Sequence, residues 1–331
     1  LDHGSGGTAS QELISGLFLK YLKNPALHSL EDSAILHNHP GNLAFTTDSY
    51  VVEPLFFPGG NIGKLAVHGT INDLAMRGAT PLALSLGLIL EEGLALDELE
   101  RIIVSISAAS DEAGVPIVTG DTKVVPRGKA DKIFINTSGI GVVREDVAIS
   151  AAKAQEGDAV ILSGTLGDHG ITIMSQRAGI NLHGDLQSDT QSLHRLVAQL
   201  LDTLPHGAIH VLRDPTRGGV ATSLNEIAAA SGHAITLQEE NLPIRPTVLA
   251  ACEILGLEPM FLANEGKCLA IVAKEQAEKA LEIMRATQEG REATIIGTVT
   301  SGKPGQVVIN TPVGGTRLVT PLYGEPLPRI C

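Results

Sequence analysis

Hydrophobic and polar positions change period several times along the chain, and each change marks an element. Stretches rich in Val, Ile, Leu and Thr, LAFTTD at 43–48 and LALSLGLIL at 82–90, read as strands. DELERIIVSISAASDEAG at 97–114 repeats its apolar residues at helical spacing, after which PIVTGD and KIFINTSGIGVV return to strand. A second series comes next: strand DAVILSG, helices near 192–202 and 220–230, strand CLAIVA, helix KEQAEKALEIMRA and strand ATIIGTVT. Between the series, EDVAISAAKAQEGD is polar, rich in small residues and weakly patterned, which puts a domain boundary between 144 and 157. The expected organisation is α/β with an N-terminal domain at 1–145, a C-terminal α/β domain at 146–318 and a flexible arm at 319–331. No fixed-period repeat is visible, which excludes solenoids and propellers.

The arm, PLYGEPLPRIC, stands apart because Pro321, Pro326 and Pro328 exclude both helix and central-strand pairing. An extended chain of that length reaches on the order of 30 Å, enough to carry its last residue between two sites. A frayed, functionless terminus is the competing reading.

Composition narrows the partners. With 331 residues and 43% hydrophobic side chains the chain can bury a large core, while aromatics at 3%, no Trp and a net charge of −13 argue against nucleic acid. The longest apolar run stops at Glu91 and Glu92, too short to span a bilayer, and the opening LDHGSGG has no secretory pattern. Three scattered cysteines form neither a disulfide framework nor a CxxC site, so a cytoplasmic protein is expected.

Candidate chemistry gathers at a few places. Asp48, Asp73 and Asp121 fall where the chain is expected to change direction, and ligands of open α/β sheets collect beyond strand ends. Jointly they suit Mg²⁺, although each alone also reads as a helix or turn cap. The glycine-rich HGSGG could wrap a phosphate ahead of a helix. It lacks the preceding strand that a dinucleotide fingerprint needs, so NAD binding is rejected. GGNIGKL is not a P-loop, since Pro58 replaces the first Gly and Leu65 follows the lysine; Lys64 is a phosphate contact or a solvated lysine. Lys123 and Glu265 are candidate proton acceptors or ordinary ion-pair partners. DPTRGG, from Asp214, is an anion site or a plain helix entry. Cys252 and Cys268 lie in apolar patterns and read as buried. Cys331 is not a prenylation site, because that signal places its cysteine four residues from the end. An accessible terminal thiol is an oxidation liability, which favours a working role for it.

Taken in order, HGSGG, FTTDSYVVEPLFFPGGNIGKLAVHGTINDLAMRGA, GDTKVV, DKIFINTSGIG, SGTLGDHG, RDPTRGG, ANEGK and EPLPRIC resemble the HypE family of hydrogenase maturation factors over essentially the whole chain. That family is similar in fold to the aminoimidazole ribonucleotide synthetase (PurM-like) superfamily. The resemblance implies an N-terminal domain that pairs with a second copy into a β-barrel homodimer. It also implies ATP in the cleft between domains and across the dimer interface. The ATP contacts carried over are Gly4, Ser5, Gly6, Gly7, Asp48, Lys64, Asn72, Asp73, Asp121, Thr122, Asp214 and Arg217, with Mg²⁺ on Asp48, Asp73 and Asp121. The implied reaction is ATP-dependent dehydration of a carbamoyl group, placed on Cys331 by HypF, to a thiocyanate, with Glu265 and Lys123 handling protons. The cyano group would then pass to iron on a HypC–HypD scaffold. A synthetase or kinase for a free small molecule, and a non-enzymatic scaffold presenting the thiol, are the alternatives.

Overall fold

A computed structural model describes residues 12–23, 41–180, 186–321 and 329–331. Two sheets organise the chain. The first contains β1 (Leu43–Tyr50), β4 (Ala79–Glu91), β5 (Ile117–Val125) and β6 (Ile133–Val143) in the order β1-β6-β4-β5, with only the β4–β5 pair parallel. Two short strands, β2 (Phe56–Phe57) and β3 (Gly60–Asn61), form a small ribbon ahead of helix α1 (Ile62–Met76). Helix α2 (Leu96–Ala113) joins α1 on the same face of the first sheet, and Leu84, Leu86, Leu88 and Leu90 of β4 fill the space beneath with Ile102, Ile103 and Ile106. The other face is open and carries Leu43, Phe45 and Ile89 at 61%, 70% and 42% exposure.

The second sheet has the order β13-β12-β9-β11-β7-β10-β8. Its strands are β7 (Ala159–Leu162), β8 (Ile209–Arg213), β9 (Ala234–Gln238), β10 (Leu269–Val272), β11 (Thr294–Thr300), β12 (Val307–Asn310) and β13 (Thr316–Val319). Every residue of β7 and β10 is buried, as central strands covered on both faces must be. Helices α4 (His194–Thr203) and α7 (Ala277–Arg285) cover one face, and α5 (Gly219–Ser231) the other. Helices α3 (Asp168–Arg177) and α6 (Pro246–Leu255) reach across, so that Ile171, Ile173, Val248 and Cys252 share a core with the first sheet.

Helix α1 is the axis of the fold. Every residue in it is buried except Lys64 and Asp73. Asn61 starts it, its Oδ1 accepting from the N–H groups of Gly63 at 2.9 Å and Lys64 at 3.1 Å. Close approach to β1 and β6 is set by small residues and buried hydroxyls. Thr70 and Thr137 hydrogen-bond at 2.5 Å, Thr137 donates to the Ala66 carbonyl at 3.0 Å, and the Tyr50 hydroxyl lies 3.4 Å from Thr70. A Cβ on Gly69 would stand 2.2 Å from the Tyr50 oxygen, so this position admits only glycine without movement.

Gly69→Ala is expected to lower unfolding free energy by about 1–3 kcal/mol through overpacking, read as a lowered urea midpoint. Tyr50→Phe in the same chain should recover part of the loss. An unchanged midpoint in the single variant would contradict this account of the β1–α1 contact.

Candidate active site

Asp48, Asp73, Asp214, Glu265 and Cys331 converge where β1, α1 and the segment after β8 meet. The strand expected to end at Asp48 runs on to Tyr50, which places Asp48 within β1 rather than at a turn. Asp73 sits in the last turn of α1, and its Oδ2 accepts from Thr46 Oγ1 of β1 at 2.7 Å. Asp214 and Arg217 belong to the loop from β8 into α5. That loop turns through Gly218 and Gly219 at φ 77° and 61°, and a Cβ on Gly219 would lie 2.4 Å from the Met260 carbonyl.

Glu265 is 3% exposed, and its Oε1 has no hydrogen-bond partner among the described residues. Its N–H donates to Asp189 Oδ1 at 3.0 Å. Asp189 is itself buried and pairs with Lys267, Oδ2 to Nζ 3.3 Å, at side-chain exposures of 2% and 9%. Asn72 ties the same loops to α1: its Nδ2 donates to the Gln191 carbonyl at 3.0 Å, and its Oδ1 accepts from Leu193 N–H at 2.7 Å. In this structure the polar atoms of Asn72, expected as a nucleotide contact, are committed to main chain, and the residue is only 2% exposed.

Electrostatics follow from burial of like charges. Burial pushes the Glu265 carboxyl well above the usual carboxylate range, with Asp189, Asp214 and Asp48 adding to the rise. Asp214 is pushed up to about 7 by burial, then by Asp73; Asp73 is raised by burial, with Thr46 pulling the other way. Burial, then the nearby Glu265 charge, raise the Cys331 thiol's pKa while Arg217 opposes them. Beside Asp73 and Asp214 lies a cavity of about 480 Å³ lined also by Phe45, Arg77, Arg213 and Ile227, apolar at some points and cationic at others. That mixture suits a base and its phosphates.

Several expected partners are elsewhere. Asp121 and Lys123 sit mid-strand in β5, ion-paired at 3.3 Å and 70% and 67% exposed. Asp48 is in register with Thr137, Thr137 with Leu86, and Leu86 with Gly120. Asp121, one residue further, therefore points to the open face, about 14 Å away across three strand spacings. Within one chain, the expected triad of Asp48, Asp73 and Asp121, and the pairing of Lys123 with Glu265, are thus not formed. Thr122 points to the helix-covered face of the same distant strand. Lys64 lies at the other end of α1 from Asp73 and lines a second cavity of about 440 Å³ with His68, Asp168, Asp189 and Lys267. Gly4, Ser5, Gly6 and Gly7 lie outside the described residues. Asp189 and His169 were missed; SGTLGDHG and the polar run before α4 carried them, with no periodicity to mark them.

The chain matches the family model of AIR synthase related proteins, the N-terminal domain over residues 30–143 and the C-terminal domain over 155–310. Carbamoyl dehydratase HypE of Azotobacter vinelandii is 53% identical over 99% of this chain and 96% of its own. A solved structure described as hydrogenase maturation protein HypE in complex with ATP has a TM-score of 0.95 at 53% identity, covering 100% of this chain and 99% of its own. A chain of a HypE–HypF complex has a TM-score of 0.82 at 48% identity, covering 94% and 99%. The chain belongs to the HypE family of carbamoyl dehydratases.

Cys331 should react with iodoacetamide at about pH 8 more slowly than cysteine in a short peptide, because its raised pKa keeps the thiol protonated there. Rates should converge once guanidinium unfolds the chain. Cys252 and Cys268, pushed up to about 11 and about 12 by burial, should stay unmodified in the native protein. Mass spectrometry of the alkylated peptides decides, and a native Cys331 as reactive as the free peptide would contradict the buried placement of its thiol.

Proposed function

We propose that this chain is an ATP-dependent dehydratase that converts a carbamoyl group carried on Cys331 into a thiocyanate. The observation that carries the reading is the terminal thiol held against Glu265 in an acidic pocket beside a nucleotide-sized cavity. An amide oxygen leaves poorly, and ATP would supply the γ-phosphoryl group that turns it into a phosphate leaving group.

The residues divide the remaining work. Glu265, whose burial makes its carboxylate more avid for protons, takes a proton from the carbamoyl nitrogen carried on the neighbouring Cys331. Arg213 and Arg217 offer cationic groups to phosphate oxygens, and the Ile330 side chain, 2% exposed, closes the pocket against water. Asp48 raises the pKa of Asp73, both raise that of Asp214, and Asp214 and Asp48 raise that of Glu265, a concentration of like charge that a divalent cation relieves. Carboxylates are the hard oxygen donors that suit Mg²⁺, which keeps waters and shares phosphate oxygens. Bound there, Mg²⁺ would neutralise charge developing on the phosphates.

A second copy of the chain accounts for Asp121 and Lys123. Among the described residues, β1 and β5 are the edges of the first sheet, and the face that carries both residues also carries exposed Leu43, Phe45 and Ile89. A homodimer closed through that face buries the apolar side chains and brings Asp121 and Lys123 toward the partner's pocket. HypF is the proposed source of the carbamoyl group, and a HypC–HypD scaffold the proposed acceptor of the cyano group, in the cytoplasm. Among the described residues, no helix is long and apolar enough to cross a membrane.

Carbamoylated chain incubated with Mg²⁺ and ATP should lose the mass of one water at the Cys331 peptide, and Asp73→Asn should abolish that loss while still accepting carbamoylation. An unchanged mass in the wild-type chain would refute the reaction. Lys123→Ala and Glu265→Gln subunits, each inactive alone, should regain dehydration when co-expressed as mixed dimers; no recovery would place Lys123 outside the partner's pocket.

A further inference from the structure

The last three residues are gripped by their main chain. The Arg329 carbonyl accepts from the Glu53 N–H at 3.3 Å and from the Arg177 guanidinium. A main-chain carboxylate oxygen of Cys331 accepts from the Val51 N–H at 3.1 Å. The chain tip thus adds itself, at alternate residues, to the segment that continues β1. Between these contacts the Ile330 carbonyl meets His169 Nε2 at 2.7 Å.

His169 is built for that carbonyl. A carbonyl oxygen only accepts, so Nε2 carries the proton, and Nδ1 of the neutral ring accepts from the Ser188 hydroxyl at 2.8 Å. Ser188 Oγ in turn accepts from the Thr190 N–H at 3.3 Å, which directs its own proton to the ring. The ring is fully buried, with the Phe57 ring edge-on to it at 5.6 Å between centroids. Such a chain fixes both the tautomer and the direction of the ring.

Side chains add selectivity. Ile330 packs into the core shared by α3, α6 and Leu262, and Arg329 Nη1 pairs with Asp131 Oδ2 at 2.9 Å on the surface. The Cys331 thiol lies near enough to Glu265 for that carboxylate's charge to act on it. None of these contacts requires that the three residues be joined to the body behind them: strand addition to main-chain donors, one apolar pocket and one surface ion pair are the elements of short-peptide recognition.

We propose that α3 and the segment after β1 form a carboxyl-terminal peptide site, which binds a separate peptide ending in Arg-Ile-Cys, with His169 as its positioning residue. The site rests on the proposed reaction only for the step after binding, in which an S-carbamoylated peptide of this ending is dehydrated in trans. That step transfers the γ-phosphoryl group of ATP to the carbamoyl oxygen. Both nitrogen protons then leave, the carbon–oxygen bond breaks, and thiocyanate, phosphate and ADP result.

The test uses the full chain carrying Ile330→Asp, which withdraws its own tip from the apolar pocket, and a fluorescent synthetic peptide of sequence GEPLPRIC. Saturable binding is expected by anisotropy. It should be at least about tenfold weaker to the wild-type chain, whose own tip competes at high effective concentration. His169→Ala in the Ile330→Asp chain should weaken it about tenfold, as loss of the donor to a buried carbonyl does. A peptide with aspartate in place of isoleucine should not bind. Because Ile330→Asp can disturb folding, a second measurement uses the wild-type chain: millimolar peptide ending in serine should speed alkylation of Cys331, and a scrambled peptide should not. Absence of both saturable binding and faster alkylation overturns the site, whatever the reaction does. Binding of the carbamoylated peptide without water loss in the presence of Mg²⁺ and ATP upholds the site and counts against the reaction.

Discussion

Carboxylates buried close together without cations to match are the constraint on which this structure turns. Glu265 keeps an unpartnered oxygen at 3% exposure, with Asp189, Asp214 and Asp48 near enough to raise its pKa. Such an arrangement opposes folding, and it persists only where surrounding packing over-determines it. Here the surroundings are unusually rigid. Helix α1 is buried along most of its length, Asn72 bolts the segment ahead of α4 to it, and the Lys267–Asp189 pair fixes the loop that carries Glu265. What the pocket concentrates is carboxylate charge, which a magnesium ion would offset, and a proton acceptor, which a carbamoyl nitrogen would serve.

The two-sheet architecture explains how one chain gathers these groups. The first sheet contributes Asp48 and, through α1, Asp73; the second contributes Asp214 and Glu265 from loops flanking β8 and β10. The apolar core runs without a break from the first sheet into α3 and α6, and Ile330 joins it. The terminal residues are therefore held by the same packing that joins the domains, and the thiol's position is a property of that junction.

Much of this was legible in the sequence and some was not, for identifiable reasons. Strands β1, β4, β6 and β11 and helix α2 announce themselves because one face is wet and the other dry. Helix α1 does not, since burial along most of its length removes the contrast that periodicity needs. Asp48, Asp73, Asp214 and Glu265 were recognisable as chemistry. Separating Asp121 from them required strand register, where a single residue reverses the face. The terminal cysteine could be singled out from its setting, whereas its receptor could not. That receptor is made of main-chain amides at Val51 and Glu53 and of a histidine whose role depends on a serine 19 residues away.

The most direct test is a crystal structure of the chain carbamoylated at Cys331, with Mg²⁺ and a non-hydrolysable ATP analogue. The account predicts the carbamoyl nitrogen within hydrogen-bond reach of Glu265 and the carbamoyl oxygen turned toward the terminal phosphate, with residues 329–331 on His169 and Val51. A carbamoyl group lying outside the pocket of Asp48, Asp73, Asp214 and Glu265 while nucleotide is bound would contradict it.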